Sequence, residues 1–432
     1  MKRILICGGG SVGLYTALTL QKRLSRSEAE ITLVTPDSYM TYQSFLPEAA
    51  SGNIEPRHVV VPLRKTLRRV RLISGHVTGL DHSSRRVEVR PVEGPELELG
   101  YDIVVVGLGS ISRVLPVPGL AEHAVGFKSV EEAIYLRNHV LARLEAAESS
   151  TDPRMRKRAL TFVFVGAGYS GVEALAELED LATDACKSYP SIDRDQMRWV
   201  LVEASGRILP EVDPDLGSYA IDRLRARGIE VRLETRLESA DDRVMVLSDG
   251  ESFEADTLVW TTGVRANPVV GRFGFPIDER GRLRTDEFLR VEGVEDAWAA
   301  GDCAAVPDLV TGGFCPPTAQ YALREAKRLG KNVAATIKGE PMEPFRYKSK
   351  GLLVSLGRYK GVAKVLGVKV RAFPAWFLHR TYHVGMIPTF NRKVRIVVDW
   401  TVALFFKRDV VQLGSLRDPR GPFEEATRDL PS

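Results

Sequence analysis

Short apolar runs alternate along most of this chain with longer segments of helical periodicity. Runs of the first kind are typical of strands buried on both faces, and segments of the second kind are typical of amphipathic helices. The predicted strands are Arg3–Cys7, Glu30–Val34, Ile103–Val106, Leu160–Val165, Arg198–Glu203, Thr257–Trp260 and Asp296–Ala300. The predicted helices are Leu14–Leu24, Ala174–Thr183, Pro316–Ile337 and Arg392–Arg408. This alternation predicts an α/β fold built on doubly wound parallel sheets.

Two copies of one glycine-rich turn directly follow two of these strands. In each copy the first Gly allows a tight turn, the second lets the backbone approach a pyrophosphate, and the third lets the helix pack on the strand. The following helix begins with unpaired N–H groups and a partial positive charge, which both attract phosphate. The glycines are Gly8, Gly10 and Gly13 in the first copy and Gly166, Gly168 and Gly171 in the second. The pattern predicts two Rossmann-like domains and two bound dinucleotides.

The residue after the second strand of each unit indicates how a nucleotide ribose is bound. In the second unit this residue is Glu203, whose carboxylate suits two ribose hydroxyls and repels a 2′-phosphate. The second site is therefore predicted to prefer NADH to NADPH. In the first unit the position is Thr35, followed closely by Asp37, and the sequence does not decide which of them contacts the ribose.

Three further elements place small residues where backbone must lie close to a cofactor. Gly109 and Gly263 each follow a strand, and a third strand ends in Gly301-Asp302. A carboxylate at that position suits the polyol of a flavin. Ala319 lies near the start of the next helix, whose N-terminus would favour an anionic reduced flavin by up to roughly 1–2 kcal/mol.

Composition indicates a large globular enzyme. The chain has 432 residues, of which 44% are hydrophobic and 27% charged, enough for two or three domains. Its first strand begins at once, without the features of an export signal, so a cytoplasmic location is predicted. The four cysteines are too few and too scattered for a disulfide framework, and they are interpreted as structural thiols.

The net charge of +4 hides a basic C-terminal segment. Residues 346–408 contain fourteen Lys or Arg and only one acid, so the remainder of the chain carries −9. No nucleic-acid motif accompanies this charge, whereas aromatic residues are interleaved with it, so an anionic membrane surface is the predicted partner. Residues 396–406 would span about 16 Å as a helix, half of a bilayer core, so the segment is predicted to lie on the membrane.

Three side-chain arrangements are expected in this basic segment. The first is a membrane face formed by Phe373, Trp376, Phe377, Val384 and Ile387, from which Arg380 would extend toward water. The second is an ion pair between Arg395 and Asp399, one turn apart. The third is an interfacial pair of His379 and His383, favoured over a metal site because no third ligand lies nearby. Packing against the body of the protein, or a homodimer contact, is the alternative to membrane binding.

The order of these motifs resembles the type II NADH dehydrogenases, within the flavoproteins that bind two dinucleotides. The resemblance covers essentially the whole chain and is strongest at Gly171-Val172-Glu173, at Ala319-Gln320-Tyr321-Ala322 and in the basic C-terminal segment. It implies FAD on the first turn, NADH on the second, and a quinone acceptor of the menaquinone or ubiquinone class. It also implies a peripheral location on the cytoplasmic side of the cell membrane.

Carried over by position, the resemblance assigns a role to each motif residue. The implied FAD contacts are Gly8, Gly10, Gly13, Thr35, Gly109, Gly301, Asp302 and Ala319. The implied NADH contacts are Gly166, Gly168, Gly171, Glu203 and Gly263. Glu173 is expected beside the nicotinamide and the acceptor, and Gln320 in the quinone pocket. The implied domains are an FAD domain (1–125 and 269–345), an inserted NADH domain (126–268) and a membrane-associating region (346–432).

Two other enzyme classes of this superfamily depend on cysteines that this sequence does not supply. Disulfide reductases use paired cysteines after the first helix, and the corresponding stretch Tyr42–Asn53 contains none. Sulfide:quinone reductases need two cysteines at the flavin, and only Cys303 is plausibly placed. A soluble NADH-dependent reductase of a small acidic redox protein, and an NADH-responsive signalling flavoprotein, both stay open at this point.

Overall fold

A computed structural model describes residues 1–349 and 351–412. The helices are α1 (Ser11–Arg23), α2 (Leu46–Ala50), α3 (Leu63–Thr66), α4 (Leu120–His123), α5 (Val130–Ser149), α6 (Pro153–Ala159), α7 (Tyr169–Cys186), α8 (Pro214–Arg225), α9 (Ala319–Lys338), α10 (Ala372–Met386) and α11 (Phe390–Phe405). The strands of the first half are β1 (Lys2–Cys7), β2 (Ala29–Thr35), β3 (Tyr39–Thr41), β4 (Val60–Pro62), β5 (Arg71–Asp81), β6 (Arg86–Pro91), β7 (Leu97–Gly100), β8 (Ile103–Val106), β9 (Ser110–Ser112), β10 (Ala124–Val125), β11 (Thr161–Val165) and β12 (Arg198–Val202). Those of the second half are β13 (Ile229–Arg232), β14 (Leu237–Ser239), β15 (Val244–Leu247), β16 (Ser252–Glu254), β17 (Thr257–Trp260), β18 (Val264–Ala266), β19 (Leu283–Arg284), β20 (Ala297–Ala299), β21 (Ala304–Ala305), β22 (Gly351–Ser355), β23 (Gly361–Val365) and β24 (Val368–Arg371).

The first sheet has the order β20-β8-β1-β2-β5-β6-β7. Its five strands from β20 to β5 are parallel, and β6 and β7 continue it antiparallel. Strand β1 lies between β2 and β8, with Ile4 opposite both Ile31 and Ile103. The inner residues of β1 and all of β8 are buried, as their continuous apolar runs predict. The turn after β1 therefore opens at the carboxyl edge of the sheet, where such folds bind ligands.

The second sheet has the order β10-β17-β11-β12-β13 and is wholly parallel. Strand β11 is fully buried, and Phe162 on it stacks on Trp199 of β12 with ring centroids 4.2 Å apart. Between the two sheets the chain crosses twice, and the crossings β9 and β18 pair with each other antiparallel. This ribbon brings the carboxyl edges of the two sheets toward one another.

The C-terminal segment forms a three-stranded antiparallel sheet, β22-β23-β24, followed by α10 and α11. Ion pairs tie this sheet to α8 of the second domain: Lys364 lies 2.9 Å from Asp213, and Lys369 lies 2.6 Å from Asp215. Arg371 joins the second pair at 3.1 Å. Part of the basic charge is thus neutralised within the molecule. Residues 413–432 of the predicted membrane-associating region lie outside the described residues.

Several predicted element boundaries need correction. Helix α7 runs from Tyr169 to Cys186, so it begins five residues before and ends three residues after the predicted helix Ala174–Thr183. Helix α9 begins at Ala319 under a Thr318 cap, so the prolines before it precede the helix instead of opening it. Helix α11 begins and ends two or three residues before the prediction. At α9 the Thr318 side chain accepts from the Tyr321 N–H, and this cap, not the hydrophobic period, sets where the helix begins.

Candidate active site

The two glycine-rich turns have the same geometry. Gly8 and Gly166 have φ angles of +108° and +102°, which favour glycine. A Cβ on Gly8 would lie 2.3 Å from the carbonyl oxygen of Gly107, and one on Gly166 would lie 2.5 Å from that of Thr261. The first glycine of each turn is therefore required by the backbone itself.

The second and third glycines of each turn differ in what surrounds them. A Cβ on Gly13 would lie 1.8 Å from the carbonyl oxygen of Gly8, and one on Gly171 would lie 1.9 Å from that of Gly166, so the third glycine lets the helix pack on the turn. At Gly10 and Gly168 a Cβ would meet no other atom of the described chain within 4 Å. Both residues also cap the following helix in an extended conformation. Open space at a helix N-terminus fits a pyrophosphate.

The strand-end residues of the two units are placed differently. The Glu203 carboxylate accepts a hydrogen bond from the Ala167 N–H at 2.8 Å, and its other oxygen accepts from the Ser205 N–H and hydroxyl at the same distance. Thr35 is buried, and a Cβ on Gly9 would touch its side chain. Glu203 thus faces the phosphate-binding turn, whereas Thr35 packs beneath its own turn.

A second group of residues meets the first turn from the far end of the chain. Gly301 has φ +74°, and a Cβ there would lie 2.6 Å from Val12 of α1 and 3.5 Å from Ala322 of α9. The neighbouring Asp302 accepts a hydrogen bond from the Ser110 hydroxyl at 2.6 Å. Gly109 precedes that serine with φ +65° and open space where a Cβ would point. The structure therefore brings Gly109, Gly301 and Asp302, which are expected at FAD, together beside the first turn.

Glu173 and Gln320 lie at opposite ends of one strand. The Ser355 N–H at the end of β22 donates to Glu173 Oε1 at 2.8 Å, and Gln320 Nε2 donates to the Gly351 carbonyl at its start, at 3.5 Å. Gly351 and Ser355 are four positions apart, or about 14 Å along the strand. Glu173 and Gln320 therefore contact the same strand at its two ends and do not contact each other.

Helix α10 supplies two histidines to the same region. His379 is buried, and its Nε2 lies 3.4 Å from Glu173 Oε1. His383 packs against His379 with ring centroids 4.6 Å apart, and its Nδ1 lies 3.0 Å from the Tyr42 hydroxyl. Burial, together with His379, lowers the pKa of His383 well below its usual 6.5. In the described part of the chain no three metal-ligating side chains come together, and the histidines serve this buried polar interface.

The expected membrane face of α10 is wrong in part. Trp376 and Ile387 are buried, and Arg380 does not extend toward water. Its guanidinium lies 2.6 Å from the buried Glu48 carboxylate and within 4.6 Å of the Trp376 and Trp400 rings. The Arg395–Asp399 pair is also wrong, because Asp399 accepts instead from His58 at 2.6 Å. Arg380 and Asp399 instead pair with residues from distant parts of the chain, which a local sequence pattern does not show.

Several polar residues at this site were not identified from the sequence. Glu177, one turn after Glu173, is fully buried and accepts hydrogen bonds from Ser51 at 2.8 Å and Asn53 at 3.0 Å. Burial raises the pKa of the Glu48 carboxyl, and Arg380 opposes that shift. Lys128 and Glu325 join the Asp302 region, as described below. The i, i+4 spacing of Glu173 and Glu177 was the one available signal for these residues.

The cysteines provide no redox-active dithiol. All four are free and buried. Burial raises the pKa of Cys7 and of Cys303 to about 12, so both thiols stay protonated near neutral pH. The interpretation of the cysteines as structural thiols is consistent with this, and electrons have no disulfide to pass through.

Comparisons with known proteins agree with this geometry. The family model described as pyridine nucleotide-disulphide oxidoreductase matches residues 2–326. The type II NADH:quinone oxidoreductase of Staphylococcus epidermidis is 32% identical over 88% of this chain and 93% of its own, and that of Staphylococcus aureus is 30% identical over the same shares. A structure of NDH2 from Plasmodium falciparum in complex with NADH superposes with a TM-score of 0.88 at 18% identity, covering 95% of this chain and 99% of the other.

Proposed function

The chain belongs to the pyridine nucleotide-disulphide oxidoreductase family and, within it, to the type II NADH:quinone oxidoreductases, and from this premise we propose how its residues perform the reaction. It is an FAD-dependent enzyme that oxidises NADH and reduces a quinone. When bound, FAD would accept a hydride from NADH and pass two electrons to the quinone. The observation that carries the residue roles is the matched geometry of the two glycine-rich turns.

We assign FAD to the first turn and to the residues gathered around it. The open position at Gly10 admits the pyrophosphate to the N–H groups at the start of α1. Asp302 has one carboxylate oxygen bonded to Ser110, so its other oxygen is placed to accept from ribityl hydroxyls. The N-terminus of α9, with Ala319, directs its partial positive charge toward the same region and favours an anionic cofactor. Because Thr35 is buried, Asp37 is the better candidate for the adenosine ribose of FAD.

NADH is assigned to the second turn on the same grounds. Gly168 leaves open space at the start of α7, as Gly10 does at α1. Glu203 is held by the turn itself and presents a carboxylate where a 2′-phosphate of NADPH would have to lie. Gly263 has φ +104° and no neighbour within 4 Å of its Cβ position in the described chain, which fits close passage of a cofactor.

We place quinone reduction beside Glu173 and Gln320, the two side chains that border β22. The carboxylate of Glu173 is oriented by the Ser355 N–H and by His379, so it can hold a proton or accept one close to the acceptor. Ser349 donates to Gln320 Oε1 at 3.3 Å, which fixes the amide. Positioning and exclusion of water are the protein's contributions to this step.

A steady-state assay of NADH oxidation with a panel of quinones, small redox proteins and oxygen at one salt concentration tests this function. We expect quinones to be reduced far faster than redox proteins or oxygen. Rapid turnover with an acidic redox protein and none with quinones would instead establish the soluble-reductase alternative. Slow oxidation that ignores every acceptor would point to the signalling alternative.

We propose that α10 and α11 attach the enzyme to the membrane surface. The two helices expose an apolar face, and on α11 its residues recur at helical spacing. The exposed residues on α10 are Phe373, Phe377 and Leu378, and those on α11 are Phe390, Val394, Val397, Val398, Val402, Leu404 and Phe405. Within residues 1–349 and 351–412, none of the helices has the length and apolar character needed to cross a bilayer. A helix lying in the interface fits both observations.

The charge around this face supports the same proposal. Arg392, Lys393 and Arg395 lie in the first turns of α11, beside its apolar stripe. Each basic residue near an anionic leaflet contributes about 1 kcal/mol, an attraction that decays over roughly 8 Å at physiological salt. Because other basic residues of the segment are paired within the protein, the surface charge is smaller than the +13 of the sequence. Apolar contact then carries a larger share of the binding. We place this surface on the cytoplasmic leaflet.

Co-sedimentation with liposomes tests the membrane proposal. We expect the full chain to bind vesicles that contain anionic lipid and to be released partly, not wholly, by salt. A variant with Phe377→Ser and Val398→Ser should bind weakly while keeping NADH-dependent flavin reduction. As a control, Val92→Ser changes an exposed valine that follows β6 and is distant in sequence from these helices, and this variant should bind normally. Equal vesicle binding by the Phe377→Ser/Val398→Ser variant and the Val92→Ser control would refute the assigned face. A particle with twice the mass of one chain in solution would favour a homodimer contact.

A further inference from the structure

Lys128 lies in the loop between β10 and α5, at the carboxyl edge of the second sheet. Its backbone N–H donates to Glu132 Oε2 at 2.6 Å. Ser129 and Glu132 form a reciprocal capping box at the start of α5. These bonds fix the backbone from which the long Lys128 side chain extends.

The Lys128 ammonium ends on Ser110, in the ribbon between the two domains. Its Nζ lies 2.5 Å from both the carbonyl oxygen and the hydroxyl oxygen of Ser110. The Ser110 hydroxyl in turn donates to Asp302 Oδ2 at 2.6 Å. The three side chains form one directed chain of hydrogen bonds, in which the charge of the lysine reaches the carboxylate through the serine.

This ammonium is partly buried and has no direct counterion. Burial lowers the pKa of Lys128, while the charges of Asp302 and Glu132 oppose the shift. Among the described residues, no carboxylate oxygen lies within the 4.0 Å of an ion pair with its Nζ. An ammonium has three donors, and both contacts found for this one are to Ser110. A partly desolvated cation in this state favours a further acceptor or anion nearby.

The neighbours of this chain are the residues proposed to hold FAD. Ser110 follows Gly109, whose Cβ position faces open space, and Asp302 follows Gly301 at the contact between α1 and α9. The polar groups therefore converge from β9, from the turn at Gly301–Cys303 and from the loop before α5. A site of this kind matches a cofactor that carries hydroxyls and acquires negative charge.

We propose that Lys128 is a positioning residue of the FAD site, holding the Asp302 carboxylate through Ser110 and supplying a partly buried positive charge beside the cofactor. The inference rests on the proposed function for its ligand. Two consequences follow. Loss of the lysine frees Asp302 to rotate, which weakens FAD binding. It also removes a positive charge that favours the added electrons, which lowers the midpoint potential of the bound flavin.

The test measures FAD affinity by titrating the apoprotein and the midpoint potential by spectroelectrochemistry. We expect Lys128→Met to weaken FAD binding by about tenfold and to shift the potential negative. Lys128→Arg, which keeps the charge, should restore most of the potential. Ser110→Ala should weaken FAD binding while shifting the potential less, because the cation remains. Lys157→Met, at an exposed lysine of α6, serves as the control and should change neither quantity.

Two results would contradict the proposed role of Lys128. Wild-type affinity and potential in Lys128→Met would overturn the proposal. If Lys128→Met purifies without FAD, the Ser110→Ala variant tests the proposal. An unchanged FAD affinity in Ser110→Ala would show that the hydrogen-bond chain does not position Asp302. Neither readout uses a quinone, so failure of this inference is distinguishable from failure of the proposed acceptor.

Discussion

Replacing Glu325 with Gln should make the protein more stable, and increasingly so as the pH rises. Glu325 lies on α9, is fully buried, and accepts a hydrogen bond from the Gly301 N–H at 2.7 Å. Burial raises the pKa of this carboxyl to about 7, and the charge of Asp302 raises it further while the Gly301 and Cys315 hydrogen bonds oppose the shift. Among the ion pairs of the described residues, none involves this carboxylate.

The sign follows from proton linkage. The unfolded chain loses this proton near its ordinary pKa of 4.5, whereas the folded chain keeps it until about 7. Proton binding therefore favours the folded state at low pH, and this contribution is lost as the pH rises through that window. At 1.36 kcal/mol per unit, the loss amounts to roughly 3 kcal/mol above pH 8. A neutral Gln keeps an acceptor for Gly301 and has no charge to bury.

Thermal unfolding of the FAD-saturated enzyme from about pH 5 to about pH 9 measures this difference. With an unfolding entropy near 2.1 cal/mol/K per residue, 432 residues give about 0.9 kcal/mol/K, so roughly 3 kcal/mol corresponds to about 3 °C. Glu325→Gln should match the wild type near pH 5 and exceed it by about this amount near pH 9. Glu122→Gln, at an exposed glutamate, is the control. A difference in Tm that does not change with pH would refute the buried-carboxyl argument.

Three further predictions concern the cofactor and acceptor sites. Gly10→Val should abolish FAD retention, whereas Gly168→Val should keep the flavin and raise the KM for NADH, since each fills the open position of one turn; absorbance and steady-state kinetics distinguish the two. Glu203→Gln should reduce the preference for NADH over NADPH, measured as the ratio of kcat/KM values, by about tenfold. The variant loses the negative charge that repels the 2′-phosphate but keeps a side-chain oxygen to accept from the Ala167 N–H. Gln320→Ala should slow flavin reoxidation by quinone and leave stopped-flow reduction by NADH unchanged, and equal losses in both would place it elsewhere.

The features that the sequence predicts well are those decided within a few residues of the chain. A strand, three glycines and a helix fix each phosphate-binding turn, because the positive φ of Gly8 and the close approach of Gly13 to the Gly8 carbonyl both arise within the turn itself. Glu203 is readable for the same reason, since it ends the next strand of the same unit. The α/β fold follows from the alternation of such units, and the comparisons confirm it.

Features that depend on partners distant in sequence could not be predicted from the local hydrophobic pattern. Arg380 and Glu48 are separated by 332 positions, and Asp399 and His58 by 341. A hydrophobic wheel places Arg380 on an apolar face and can say nothing of the buried carboxylate that meets it there. Lys128 looks like an ordinary residue before a helix cap, and only the folded ribbon shows its path to Asp302.

The buried charges of α10 hold the helix pair α10 and α11 against the residues of the candidate active site. Arg380 and the Trp400 indole both bond to Glu48 Oε2, at 2.6 and 2.7 Å, and so hold α10 and α11 against α2 of the first domain. His379, one position before Arg380, meets Glu173 on α7. Removing one partner from such a buried pair costs several kcal/mol, far more than a surface pair contributes. The inner faces of these helices are therefore fixed to the body of the protein, which leaves their outer apolar faces in one orientation relative to Glu173.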